Sequence, residues 1–198
     1  MDDKLYLIDI DCTEHFSEEF NNFFANFIED QSVAVLTAHP ACNLHEYVVK
    51  RATYVFSANG NEIYKGGKLL YKNVISFNAE THRWVDSLNL PQHRTVDAIH
   101  VSADPYVSAS LVRQYNELHT EYRAQSCAGG FCIRHPADYR LPINAVISEN
   151  YRIRFIAPTR TYGSTNYALA LAISKRGSCF NADSESHLRE LLLYLSEK

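Results

Sequence analysis

Leu5, Tyr6, Leu7 and Ile8 form an unbroken apolar run that ends in two carboxylates, Asp9 and Asp11, with Thr13 two positions further on. Short runs without alternation suit strands buried on both faces. Beyond it, Phe16, Phe20, Phe23, Phe24 and Phe27 recur at helical spacing, which predicts a helix whose aromatic stripe faces a core. Ser17 is placed to cap that helix, and Glu18 and Glu19 suit its positive end. A second apolar run, 32–36, ends at Thr37; "ACNLHEYVVKRA" reads as a short helix, and a third run covers 53–56. Strands alternating with helices in this way point to a parallel sheet with crossover helices, an α/β fold.

The pattern changes after Asn59-Gly60. Gly66-Gly67 lies between two short β-prone runs and predicts a hairpin, and "NAETHRWVDSLNL" reads as a helix. Residues 88–150 read as a separate module: a strand at "TVDAIHVS", a helix at "SASLVRQYNELHTEYRA", and extended stretches at "GFCIRH" and "INAVISE". Core-like segments then return: a strand at "RIRFIAP", a helix at "NYALALAISKRG" with Gly177 as its stop, a short strand over 178–181 and a terminal helix. The expected division is a core domain over 1–87 and 151–198 and an inserted domain over 88–150.

Composition narrows the classes. At 198 residues, 46% hydrophobic and 21% charged, the chain is of ordinary globular make-up. Its net charge of −4 and the lack of a Lys/Arg cluster argue against a nucleic-acid groove, though not against a pocket for one phosphate. No run approaches the ~20 apolar residues of a membrane span. "MDDKLY" lacks the basic start of a signal peptide, and five scattered cysteines suit reduced thiols, so a cytoplasmic location is expected. Cys127, Cys132 and His135 lie close in sequence, but a zinc site draws on about four ligands and no second pair is visible, so zinc is not expected.

Functional groups of open parallel sheets gather beyond the carboxyl ends of the strands. Three such ends carry suggestive groups: Asp9 with Asp11, Thr37, and Asp183 with Ser184. If these strands are neighbours, carboxylates and a hydroxyl converge, and mutually repelling carboxylates suit a hard cation, Mg²⁺ above all.

This set resembles the haloacid dehalogenase-like superfamily. "DIDCT", Asp9 to Thr13, fits that family's D-x-D-x-[TV] strand end; Thr37 fits its second motif; and "ADSESHL", Ala182 to Leu188, keeps Asp183, Ser184 and Leu188 of its metal motif. "YVFSANGNEIYKGGKLLY" is similar to the third strand and hairpin of the Cof-type branch, which carries an inserted α/β cap where residues 88–150 sit. The resemblance implies a parallel Rossmann-like core sheet with a smaller α/β cap. It implies a phosphatase for a small phosphorylated metabolite, a sugar phosphate or nucleotide. Asp9 would be the nucleophile and Asp11 the general acid and base. Mg²⁺ would be held by Asp9, the Asp11 carbonyl and Asp183. Thr37 would bind a phosphoryl oxygen. Asn59-Gly60 reads first as a turn former and only second as a substrate contact.

The departures lie late in the chain. The family Lys is missing from "TRTYGSTNYALALAISKRG", where Arg160 or Lys175 could replace it; Arg160 could also clamp an anionic group. Ala182 stands for Gly, and His187 for the second Asp. These losses support an alternative: a protein of the same fold with weak or no catalysis that binds a phosphorylated ligand or a protein partner.

Overall fold

The computed structural model describes residues 3–11, 16–37, 39–95, 98–127, 129–134, 151–157 and 177–198, with the backbone alone at Asp3 and Asn59. Two compact units emerge, Met1–Lys72 with Asp138–Lys198, and Asn73–Ala137.

The first unit is built on a seven-stranded sheet. Its strands are β1 (Asp3–Asp9), β2 (Val33–Leu36), β3 (Tyr54–Ser57), β4 (Glu62–Lys65), β5 (Lys68–Lys72), β10 (Tyr151–Ala157) and β11 (Gly177–Asn181). Their spatial order is β11-β10-β1-β2-β3-β4-β5. The first five in that order run parallel, and β4 and β5 add the antiparallel hairpin that Gly66-Gly67 predicts.

Strand β1 is central and its side chains alternate between two cores. Tyr6 and Ile8 join Val33, Val35, Val55 and Ile156 on one face. Leu5 and Leu7 join Ala34, Leu36, Phe56 and Phe155 on the other. That two-sided burial is why the strand carries no polar alternation. Helix α1 (Glu18–Asp30) buries Phe20, Phe24, Phe27 and Ile28, each worth ~1.5–3 kcal/mol relative to an exposed position. Ser17 caps it by accepting the Phe20 N–H at 3.1 Å, and its own N–H donates to Glu185 at 2.7 Å. Glu185 opens the terminal helix, α5 (Glu185–Ser196), whose Leu188, Leu192 and Leu195 close the same core. The short helix α2 (Glu46–Arg51) lies between β2 and β3.

The second unit is a four-stranded antiparallel sheet with two helices. Its strands are β6 (Gln92–Arg94), β7 (Ala98–Ser102), β8 (Arg123–Cys127) and β9 (Gly130–Arg134), in the order β6-β7-β9-β8. Helix α3 (Ala79–Ser87) contributes Val85 and helix α4 (Pro105–Leu118) contributes Tyr115 to a core with Phe77, Ile99, Val101, Phe131 and Ile133. Asp104 caps α4, accepting the Tyr106 N–H at 2.9 Å, and Pro105 occupies its first turn.

One expectation changes. The second unit begins at Asn73, not at 88, because Phe77 and Val85 bury into its core and carry α3 with them. Gly177 opens β11, and a Cβ there would lie 1.9 Å from the Ile153 carbonyl oxygen, so only glycine allows β10 and β11 to pair. The expected extended stretch at "INAVISE" and the helix at "NYALALAISKRG" lie outside the described residues.

Candidate active site

Asp9 is the last residue of β1 and is 5% exposed. It pairs with Leu36, the last residue of β2, so Thr37 leaves the sheet beside it. Two backbone bonds hold these chain ends: Ile10 N–H to the Leu36 carbonyl at 3.1 Å, and Thr37 N–H to the Phe56 carbonyl at 3.0 Å. Beyond the strand end the chain folds back so that the Asp11 N–H donates to Asp9 Oδ1 at 3.0 Å. The two carboxylates are therefore set by one local turn.

Thr37 is almost fully buried, and its hydroxyl donates to Asp11 Oδ1 at 2.6 Å while accepting the His39 N–H at 3.0 Å. The hydroxyl proton is directed at Asp11 here, so the Thr37 side chain holds that carboxylate in place. A cavity of about 470 Å³ opens beside the pair, lined by Asp11, Thr37, His39, Asn43, His45 and Tyr47 among others. Tyr47 donates to Asn21 at 3.2 Å, and burial pushes its phenol up to about 12.

One supporting residue went unnoticed in the sequence. Glu62 is 4% exposed on β4, and its Oε2 accepts the Ala41 N–H at 3.0 Å and the Ser57 hydroxyl at 3.2 Å. Its Oε1 pairs with Lys72 at 3.2 Å. It thus pins the loop that leaves Thr37 to the third and fourth strands. "NEIYK" gives no local sign of this, because the partner amide lies twenty-one positions away.

Asp183 lies apart from these. The sequence reading made the strand of Asp183 a neighbour of β1, but β10 lies between them. Ile8 pairs with Ile156 and Ala157 with Asn181, so Asp183 sits two strand spacings to the side of Asp9, ~10 Å, and two residues further along. It is exposed in the turn before α5. Two oxygens bound to one Mg²⁺ at ~2.1 Å are at most ~4.2 Å apart. The strand beside β1 offers no substitute, since 151–182 contains neither Asp nor Glu. The donor set expected for Mg²⁺ is therefore not assembled by these residues. Asn59 lies in a turn, Ala58–Gly60, after β3 with its side chain undescribed, and Arg160 lies outside the described residues.

No protein-family model matches the sequence, and no curated protein matches it. Solved structures do match. C-terminally truncated IMP-nucleotidase of Plasmodium falciparum superposes with a TM-score of 0.60 at 11% identity, over 98% of this chain and 71% of that one. A trehalose-6-phosphate phosphatase related protein gives 0.59 at 12% identity, over 98% and 97%. A phosphatase of the haloalkanoate (HAD) enzyme superfamily from Bacteroides thetaiotaomicron gives 0.56 at 12% identity, over 98% and 95%.

The chain has the haloacid dehalogenase-like fold. Within that fold, the five parallel strands are the core sheet, and the antiparallel sheet with α3 and α4 is the smaller α/β unit. Asp9 is the last residue of the central strand, and Asp11 lies two positions beyond it. Thr13 and the rest of 12–15 lie outside the described residues. No helix among the described residues is long and apolar enough to cross a membrane.

Proposed function

We propose that this protein is a cytoplasmic phosphoric monoester hydrolase acting on a small phosphorylated metabolite, a sugar phosphate or nucleotide. The observation that carries the reading is the Asp9–Asp11 pair: a buried strand-end carboxylate whose Oδ1 accepts the Asp11 N–H at 3.0 Å, beside a cavity large enough for a small metabolite. The structural neighbours point the same way, because they include proteins named for IMP and trehalose-6-phosphate.

In this reading an Asp9 carboxylate oxygen attacks phosphorus while the ester P–O bond breaks. Asp11, protonated, gives its proton to the departing alkoxide. Asp11 then takes a proton from water as the oxygen of that water attacks the aspartyl-phosphate, which frees Asp9 and releases inorganic phosphate. Thr37 fits this scheme as the hydroxyl that keeps Asp11 turned toward the leaving oxygen. His39, Asn43 and His45 give the cavity wall hydrogen-bonding groups for a polar leaving group.

A second reading, ligand binding with little or no turnover, is favoured by one feature: the first acid after β10 is Asp183, two strands away from Asp9. Phosphate release across a panel of sugar phosphates and nucleotides, with and without Mg²⁺, separates the two. Turnover by the wild type that vanishes in Asp9→Asn, with folding unchanged, supports the hydrolase. Binding of a phosphorylated ligand with no phosphate released under any condition replaces it with the second reading.

A further inference from the structure

We propose that one face of the antiparallel sheet in the second unit binds zinc through His100, Cys127 and Cys132. Ligand atoms of these three residues already lie within 4.8 Å of one another. The sheet register explains why. His100 on β7 is the cross-strand partner of Cys132 on β9. Cys132 is in turn opposite Gln125 on β8, and Cys127, two residues on from Gln125, points to the same face. The opposite face carries Ile99, Val101, Phe131 and Ile133 and is filled by the apolar core. Thiols and imidazole are thus collected on one side of the sheet and hydrocarbon on the other.

The donor chemistry is that of zinc rather than of a hard cation. Two thiolates and one neutral imidazole are ligands that zinc favours, and three protein ligands leave a fourth position for water. Tetrahedral zinc with Zn–S ~2.3 Å and Zn–N ~2.1 Å spaces its ligand atoms ~3.4–3.8 Å apart. The observed spread needs only about 1 Å of contraction, within reach of side-chain rotation on a fixed backbone.

Two neighbours support the site. His93 is the cross-strand partner of His100, and their rings stack at 4.6 Å with planes 6° apart, which holds the His100 imidazole in orientation. Arg134 follows Cys132 on the same face of β9, and its buried Nε has no hydrogen-bond partner among the described residues. A cation so placed offsets the charge of the two thiolates. Cys132 is fully buried and Cys127 is exposed, so one ligand is fixed in the sheet and the other stands where a metal can enter. A disulfide is the competing fate of the two thiols. Diagonal cross-strand residues have Cα atoms ~7–8 Å apart, beyond the ~4.4–6.8 Å that disulfides span. His135 lies outside the described residues. Zinc was not expected from the sequence because the third ligand, His100, comes from a strand twenty-seven positions before Cys127.

Binding releases the two thiol protons to solvent and involves no redox change. The test uses the full chain, reduced, stripped with chelator and titrated with Co²⁺ alone, followed by Zn²⁺. The expected result is one equivalent of Co²⁺ with thiolate-to-metal charge-transfer bands and the strong visible bands of a tetrahedral ion, both bleached by Zn²⁺. Cys127→Ser and His100→Ala should each weaken binding by more than the ~10–100-fold that a lost outer-shell partner costs. Cys42→Ser and Cys179→Ser, which alter thiols outside the cluster, should leave the spectrum unchanged. Cys132→Ala is checked by circular dichroism, since that side chain is buried; the exposed Cys127 variant keeps the test valid if it misfolds. Absence of thiolate bands, a spectrum unaltered in Cys127→Ser, or its loss in Cys42→Ser overturns the proposal. So does a Cys127–Cys132 disulfide whose reduction yields no metal binding. The site shares no residue with the Asp9–Asp11 pair, so its failure leaves the hydrolase reading untouched.

Discussion

Replacing Glu62 with alanine should strand two buried hydrogen-bonding groups at once. Ser57 is 0% exposed and Ala41 is 6% exposed, so neither the Ser57 hydroxyl nor the Ala41 N–H gains water in exchange. Each buried group left unsatisfied costs ~1–3 kcal/mol. The Lys72 ammonium is 44% exposed and returns to solvent, so its lost pairing adds only ~0–1 kcal/mol. The sum, about 2–7 kcal/mol, brackets the ~3–5 kcal/mol that removing one partner of a buried charge pair costs. Glu62→Gln keeps the shape and one acceptor oxygen but turns an amide N–H toward Lys72, for a loss of about 1–2 kcal/mol. Urea denaturation followed by far-ultraviolet circular dichroism reads the difference. Trp84 fluorescence reports the second unit and should move little. Hydrogen exchange localises the effect, with the Ala41 amide losing protection first. Because that amide anchors the loop leaving Thr37, any turnover should fall as well. An alanine variant within about 1 kcal/mol of wild type, with Ala41 still protected, would refute the reasoning.

Asp11→Asn should slow phosphate release by ~10²–10⁴-fold, most for substrates with poor leaving groups; equal slowing across leaving groups would remove its role as acid. Thr37→Ala should cost about 1.5–3 kcal/mol in kcat/KM, the worth of a hydrogen bond to a charged group, and Thr37→Ser should restore most of it. Tyr47 sits at about 12 against an ordinary 10, so the unfolded chain ionises first. Its contribution is fully present below pH 10 and is lost as pH rises from there through about 12; Tyr47→Phe should flatten that part of a stability-against-pH curve, leaving the slope due to Tyr64, Tyr115 and Tyr122, which burial also pushes up. Gly177→Ala should destabilise the first unit by ~1–3 kcal/mol, because the added carbon meets the Ile153 carbonyl at 1.9 Å; a neutral result in thermal melting would show that β11 can shift aside.

Much of the core was legible along the chain because its signals are local. The unbroken apolar runs at Leu5–Ile8 and Val33–Leu36 reflect burial on two faces, and the Phe16–Phe27 spacing reflects a helix with one buried side. Asp9 and Asp11 were legible for the same reason: two residues and one turn place them, and no distant partner is needed to bring them together. What the chain could not show depends on which strands become neighbours. The slot beside β1 went to β10, which carries no acid, and this set Asp183 aside. The second unit drew in α3 because Phe77 and Val85 found apolar partners there, a choice that hydrophobic periodicity cannot express. Thr37 was placed by sequence, but the direction of its hydroxyl was decided by the turn that puts Asp11 within 2.6 Å. Glu62 with Ala41, and His100 with Cys127 and Cys132, exist as groups only through strand pairing, since side chains far apart in sequence meet where the backbone ladder sets them side by side.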